Sequence, residues 1–470
     1  MRKLLPLLAV ALVLTPLAAC RAKPHRPPNV LLLLVDCLRA DELSVAGYRR
    51  PTTPHIDELA RQGTRFSRAY SQASWTRPSL PSILTGLYPS EHGLLDLVDD
   101  PSAPAAALDD SVVTVAERLR QAGYATGMVG EQHQLSTRFG LQQGFDLWQP
   151  KSGDAANIQR KFLDWQQGLE GKPFFAYLHY LELHWPYCPP KDLRGRFDEG
   201  PSALNLCKEW RQLRDQMRSG GYVVTTADRQ LMRARYDEEL LGIDRRIGEL
   251  IDELKRRGVY DDTLILVTGD HGEEFGEHGG AFHGQSLYDE LLHVPLVWKP
   301  PAWWEAPAGQ VVDGLTEQRN AGATFLDAAG VGSLPAGTRS LVPWLRGERH
   351  DAPSRYVVSE GTDQLAVHAE RWKMIVSKNG GGYELYDLRR DPGERHNLAS
   401  EDRTRLALMR QVLSAWKGRL HPAPRKQVTM DTETREGLAN LGYVGQRHAV
   451  PAATASPAVT PAPAATPDHH

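Results

Sequence analysis

The chain has 470 residues, more than one hydrophobic core usually holds, so a large domain with a smaller companion is expected. Apolar residues make up 41% and charged residues 24%, which excludes a low-complexity or fibrous chain. A formal net charge of -3 does not point to nucleic acid or an anionic membrane as a partner.

The N-terminus reads as a targeting segment. Arg2 and Lys3 precede an apolar run, Leu4 to Leu17, that is short for a bilayer span. Leu17-Ala18-Ala19-Cys20 then resembles a bacterial lipobox, which implies a signal peptide over residues 1–20 and an acylated Cys20. No Asp follows Cys20, so a Gram-negative cell would place the lipid-anchored protein on the periplasmic face of the outer membrane, and other cells at the surface. Residues 21–28 form a basic, Pro-containing tether.

Asn29 to Val35 is a continuous apolar run ending at Asp36, the pattern of a buried parallel strand with a functional residue at its carboxyl end. Helices are expected over His55–Gly63 and Val113–Ala122, and strands over Ala125–Val129 and Phe174–Leu178. Leu231 to Arg257 carries apolar residues at three- and four-residue spacing and predicts a long helix ended by Gly258. Thr263 to Thr268 is the next buried strand, with Asp270-His271-Gly272 at its end, and Val294 to Trp298 reads as another. This alternation predicts an α/β fold with a large, mostly parallel sheet covered by helices on both faces, over residues 29–345. Short strands at Tyr356–Ser359, Leu365–His368, Trp372–Val376 and Tyr383–Asp387, then a helix near Arg403–Trp416, predict a small C-terminal antiparallel-sheet subdomain over 346–447. Residues 448–470 are Ala- and Pro-rich and read as a disordered tail. Cys188 and Cys207 flank a Pro- and Arg-rich loop; whether they pair is left open, because connectivity is not readable from sequence.

Asp36, Thr76, Asp270 and His271 each stand at a strand end or helix start, and His278 and His283 follow. Carboxylates and imidazoles suit a divalent cation. A cation can activate a hydroxyl and stabilise charge on a transferred group, and the helix beginning near Thr76 would aim backbone N–H groups at an anion.

The run Ala73-Ser74-Trp75-Thr76-Arg77-Pro78-Ser79-Leu80 to Leu84-Thr85-Gly86 resembles the nucleophile segment of the sulfatase family, within the wider alkaline phosphatase superfamily. Asp36-Cys37-Leu38-Arg39-Ala40-Asp41, Pro54 to Ala60, Gly144-Phe145-Asp146, His184-Trp185-Pro186-Tyr187, Gly276-Glu277-His278-Gly279 and Tyr383 to Asp387 extend the resemblance over most of residues 28–445. It implies Asp36, Asp270 and His271 as metal ligands and Thr76 as nucleophile. His184 and His283 would protonate the leaving group or touch the substrate anion, and His133 and His278 would contact substrate. Oxygen-rich ligation suits Ca²⁺, Mn²⁺ or Mg²⁺, and further His ligands would turn the preference to Zn²⁺. Glu182 is a candidate ligand for a second metal. His92, His133 and His179 also have ordinary structural readings, and Trp75 and Trp185 read as packing residues.

Departures from the family pattern sharpen the chemistry. Family sulfatases carry Cys or Ser at the nucleophile position and oxidise it to formylglycine. Thr76 cannot follow, because its β-carbon bears a methyl group and would give a ketone. Cys37 replaces a second acidic residue, Leu80 an Arg, and Glu131 the Lys of a Gly-Lys-Trp-His segment. The expected activity is metal-dependent hydrolysis of sulfate or phosphate esters on a small-molecule, glycan or lipid substrate. The alternatives are a phosphodiesterase or phosphoryl transferase acting on envelope glycans or lipids, and a non-catalytic binding lipoprotein.

Overall fold

The computed structural model describes residues 27–96, 103–197, 200–334 and 337–442. Cys20, nearly all of the tether and the Ala/Pro-rich tail lie outside them. The strands are β1 (Asn29–Val35), β2 (Thr64–Tyr70), β3 (Ala105–Ala107), β4 (Ala125–Gly130), β5 (Leu147–Gln149), β6 (Phe174–Tyr180) and β7 (Thr263–Thr268). They continue with β8 (Leu296–Lys299), β9 (Gln310–Glu317), β10 (Tyr356–Glu360), β11 (Gln364–Ala369), β12 (Trp372–Ser377), β13 (Tyr383–Asp387) and β14 (Lys426–Val428).

Eight strands form one sheet in the order β5-β4-β6-β1-β7-β8-β2-β9. All its neighbours run parallel except β8, which is antiparallel to both β7 and β2. The expected strand at Val294–Trp298 is therefore present as β8 with its direction reversed. β1 shows why the sheet is central. Leu31, Leu33 and Val35 enter one core, Val30, Leu32 and Leu34 the other, and all six are buried. Successive side chains point to opposite faces, so a run apolar at every position needs cover on both.

That cover comes from helices with readable ends. The helix Thr226–Arg256 starts on a capping box between Thr225 and Asp228. It buries Leu240, Ile243, Ile247, Leu250 and Leu254 on the first core. The helix Val115–Gln121 starts on another capping box, Thr114 with Glu117, and lies on the second.

β10 to β13 make a separate four-stranded antiparallel sheet. One face packs on the helix Arg403–Lys417 through Val358, Val367, Met374, Met409 and Trp416. The other places Val357, Ala366 and Ile375 against Tyr70, Leu292 and Leu315 of the large sheet region. Beyond this helix the chain returns to the large domain: β14 pairs with β3, and Met430 and Leu438 pack on Ala105 and Phe139. Cys188 and Cys207 are joined as a disulfide. No helix among the described residues is long and apolar enough to cross a membrane.

Candidate active site

Parallel strands deliver their carboxyl ends to one edge of a sheet, and ligand sites form there. β1 ends at Asp36 and Cys37, β6 runs out through His179 towards His184, β7 leads to Asp270 and His271, β4 to Gln132 and β2 to Ser71. The helix Thr76–Thr85 follows Ser71 across this edge, all ten residues buried. Two hydroxyls moor it: Ser71 Oγ and Ser79 Oγ each donate to the Asp270 carbonyl at 2.6 Å.

Asp36 divides its oxygens between two tasks. Oδ2 accepts from Gln132 Nε2 at 2.7 Å and lies 3.2 Å from His179 Nε2, whose Nδ1 is 2.5 Å from Tyr177 Oη. Oδ1 is left towards Cys37 Sγ at 3.2 Å and His271 Nε2 at 3.6 Å. Burial works to raise the Asp36 carboxyl. The His179 hydrogen bond and the His271, His184 and His179 rings outweigh it and hold it far below the carboxylate range. Asp270 lacks such support. Burial and the Asp36 charge push it up to about 6, with His271, His179 and the Thr76 hydroxyl opposing.

His271 Nδ1 donates to the Gly272 carbonyl at 2.8 Å, which turns the Nε2 lone pair towards the carboxylates. Nε2 is 3.4 Å from Asp270 Oδ2 and 3.3 Å from Thr76 Oγ1. Burial would lower His271, but Asp270 and Asp36 raise it overall.

Asp36, Asp270 and His271 offer ligand atoms within 4.8 Å of one another, all buried. Asp270 Oδ2 has no hydrogen-bond partner among the described residues, although the whole residue is buried. An orphaned carboxylate oxygen beside an oriented imidazole is a donor set that a divalent cation completes. Ligands about 2.0–2.2 Å from one ion lie about 3.0–3.6 Å apart at ordinary angles, and His271 Nε2 stands at such distances from Asp36 Oδ1 and Asp270 Oδ2.

His184 and His283 face each other with ring centroids 4.9 Å apart, and His283 lies 4.5 Å from the His271 ring. His184 Nδ1 donates to the Trp185 carbonyl at 3.0 Å; burial and then the His283 charge bring its pKa down to about 4. Cys37 lies in the same cluster, its thiol pushed up by burial and then by Glu273, Asp36 and Asp270.

Thr76, Asp36, Asp270, His271, His184 and His283 are thus brought to one edge, and His133 and His278 are not. The His133 ring sits where a Cβ on Gly437 would be, 2.1 Å from that position, under the helix Thr432–Asn440. His278 stacks on Tyr288 at 3.5 Å and lies 3.3 Å from Glu290 Oε1. Glu182 Oε1 accepts the Ala155 N–H at 2.6 Å, at the start of the helix Ala155–Gln167. Glu131 turns away and accepts the Gly153 N–H at 2.6 Å, so the site does not receive its charge. Gln132, His179 and Glu273 are the residues that sequence reasoning missed or discounted. The Gly130-Glu131-Gln132-His133 segment carries the signal for Gln132, one position after the residue that replaces the family's Lys.

Fold and edge together define an ester hydrolase of mixed α/β architecture, and comparison with known proteins gives the family. The chain belongs to the sulfatase family: the sulfatase family model matches residues 28–331, and the model for the C-terminal region of N-sulphoglucosamine sulphohydrolase matches 276–417. An N-acetylglucosamine-6-O-sulfatase of Bacteroides thetaiotaomicron is 25% identical, over 84% of this chain and 86% of its own. The multifunctional alkaline phosphatase superfamily protein PehA of Trinickia caryophylli is 26% identical over 79% and 91%. A phosphonate monoester hydrolase of Agrobacterium radiobacter shares the fold, with a TM-score of 0.69 at 22% identity over 84% and 96% of the two chains.

Proposed function

We propose that this protein is a metal-dependent hydrolase of phosphate or sulfate esters with Thr76 Oγ1 as nucleophile. The observation that carries the reading is the placement of Thr76 Oγ1, 3.3 Å from His271 Nε2, at the first residue of a buried ten-residue helix. Asp36, Asp270 and His271 would hold a divalent cation, which supplies charge to favour the alkoxide and to stabilise the transferred group.

The first step forms a bond from Thr76 Oγ1 to phosphorus or sulfur and breaks the bond to the leaving alcohol. His184 or His283 takes the Thr76 Oγ1 proton as that bond forms and gives it to the leaving alcohol. Water then attacks the same centre, breaks the bond to Oγ1 and returns the enzyme. The Thr76 and Arg77 N–H groups, in the first turn of the Thr76–Thr85 helix, would stabilise the charge of the anion, since Pro78 has no N–H and the Ser79 N–H is bonded to the Trp75 carbonyl. Thr76 has no aldehyde hydrate to collapse, so clearing a threonyl sulfate needs attack at sulfur itself. A threonyl phosphate is cleared by in-line attack with metal assistance, which favours phosphorus. Names among the relatives point to sulfated sugars, and PehA to the wider superfamily. These support an anionic ester, including one on a glycan.

We also infer export and lipid tethering through Cys20. The lipobox pattern supports this, and so does the Cys188–Cys207 disulfide, since disulfides persist in oxidising compartments.

The test is turnover of an aryl sulfate, an aryl phosphate monoester and an aryl phosphodiester across a panel of divalent cations. Thr76→Ser should retain metal-dependent turnover, and Thr76→Ala should lose on the order of 10⁴-fold or more. Wild-type rates in Thr76→Ala, or a carbonyl group at position 76 by mass spectrometry, would sink the reading.

A further inference from the structure

Asp36, Asp270 and His271 do not use up the ligating groups at this edge. Cys37, His271 and His283 form a second buried trio whose ligand atoms lie within 4.8 Å of one another. His271 has one lone pair to give, because its Nδ1 donates to the Gly272 carbonyl. That nitrogen belongs with Asp270 and Asp36, so the remaining set centres on Cys37 and His283.

Cys37 Sγ lies 3.6 Å from His283 Nδ1. Bonds of about 2.3 Å to sulfur and about 2.0 Å to nitrogen, opened at a tetrahedral angle, place two such ligands about 3.5 Å apart. Glu273 Oε2 is 3.0 Å from the same nitrogen. Glu273 is fully buried, and its other oxygen, Oε1, has no hydrogen-bond partner among the described residues. Cys37 also has φ of 60°, a left-handed backbone conformation that costs a residue with a Cβ roughly 1–3 kcal/mol and that functional sites often retain. Glu273 thus presents one oxygen to His283 and one unpartnered oxygen in a cluster with the Cys37 thiol and the Tyr187 hydroxyl, a donor set that a shared cation would complete.

We infer that Cys37, His283 and Glu273 form a second metal site, suited to a divalent cation that accepts thiolate, such as Zn²⁺, beside the cation assigned to Asp36, Asp270 and His271. The inference rests on the proposed function only for that first cation. On binding, the sulfur–metal bond replaces the S–H bond, and the proton passes to solvent. The sulfur, nitrogen and carboxylate donors select against Ca²⁺ and Mg²⁺, which take oxygen ligands. With His283 engaged in this way, His184 remains to pass the Thr76 proton to the leaving alcohol.

The experiment loads chelator-treated protein with Co²⁺, removes excess by desalting, and reads metal content by mass spectrometry and the near-ultraviolet spectrum. Wild type should hold two equivalents and show a sulfur-to-cobalt charge-transfer band. Cys37→Ser should lose the band and one equivalent with its circular dichroism unchanged, and His283→Ala should also fall to one equivalent. One equivalent in wild type, or two with no sulfur band, overturns the second site whatever the variants do. Thr76→Ala separates the two readings: it should still hold two equivalents while inactive. Full turnover in that variant would remove the nucleophile assignment and leave the metal count to decide this one.

Discussion

The sharpest test of how the Thr76 helix is held concerns one carbonyl. Asp270 O is buried and receives two hydroxyl protons, from Ser71 Oγ and Ser79 Oγ, each at 2.6 Å. Ser71 ends the segment leaving β2, and Ser79 sits in the first turn of the Thr76–Thr85 helix. Removing one hydroxyl leaves the carbonyl with the other, so Ser71→Ala or Ser79→Ala alone should cost about 1 kcal/mol, the net value of one hydrogen bond. Removing both orphans a buried acceptor, whose desolvation adds about 1–3 kcal/mol in place of the second net bond. The double variant should therefore be destabilised by about 3 kcal/mol against a sum of about 2, a coupling of about 1 kcal/mol. Ser71 Oγ also receives the Ala73 N–H at 3.4 Å, a loss that cancels in the cycle, and its 3.2 Å approach to Ser79 Oγ adds no bond because each hydroxyl gives its one proton to the carbonyl. The assay is denaturant unfolding followed by tryptophan fluorescence on the four proteins, with turnover measured alongside. Additivity within about 0.3 kcal/mol would mean that another donor reaches the carbonyl, and the account of how Thr76 is positioned against Asp270 would fall.

Two further predictions follow from features away from the metal ligands. His92 is buried, with Leu94 N–H donating to its Nδ1 and its Nε2 3.1 Å from the Pro78 carbonyl, so the folded protein holds it neutral. Burial chiefly, with Arg425 and Arg77 adding to it, brings its pKa down to about 3 from 6.5, against the Pro78 hydrogen bond. Between those values the unfolded chain binds the extra proton. Stability therefore rises with pH through that window and is lost as pH falls, by about 2 kcal/mol between pH 7 and pH 5. Unfolding at both pH values in wild type and His92→Gln measures this, and an equal loss in the variant would refute it. For the inferred anchor, Cys20→Ala should move the protein from the membrane to the soluble fraction and abolish labelling with radioactive palmitate; a membrane-bound, unlabelled wild type would refute acylation.

Much of the site was legible because the residues concerned sit at ends of strongly patterned elements. Asp36 closes an unbroken apolar strand, and Asp270 and His271 follow another. Thr76 begins a segment that matches a motif. The four-stranded C-terminal sheet was readable for the same reason, since its strands alternate and turns separate them. β2, β9 and the helix Asn320–Ala328 carried no comparable pattern: β2 alternates Arg, Ser and aromatic residues over a strand only partly buried. Glu131 stands at the family's Lys position yet bonds elsewhere, for a simple reason. Consecutive residues leaving a strand point opposite ways, so a motif match fixes the segment without saying which neighbour faces inward. Glu131 meets the Gly153 N–H and Gln132 meets Asp36. His179 was discounted because one His in an apolar strand has an ordinary structural reading. Only the register of β6 against β1, which pairs Leu34 with His179, brings it beside Asp36.

The charge carried by this edge argues for cations independently of any motif. Asp36, Asp270 and Glu273 are all fully buried. Their ion-pair partners among the described residues are imidazoles: His179 and His271 for Asp36, His271 for Asp270, and His283 for Glu273. No Lys or Arg pairs with any of the three among the described residues, whereas Glu42, Asp237 and Glu394, buried elsewhere, each have one. A buried carboxylate without compensation costs several kcal/mol. Imidazoles offset that cost only in part, because His271, which these carboxylates raise, is shared between Asp36 and Asp270. Divalent cations would complete the compensation, and the ligand atoms are already at the spacing such ions require.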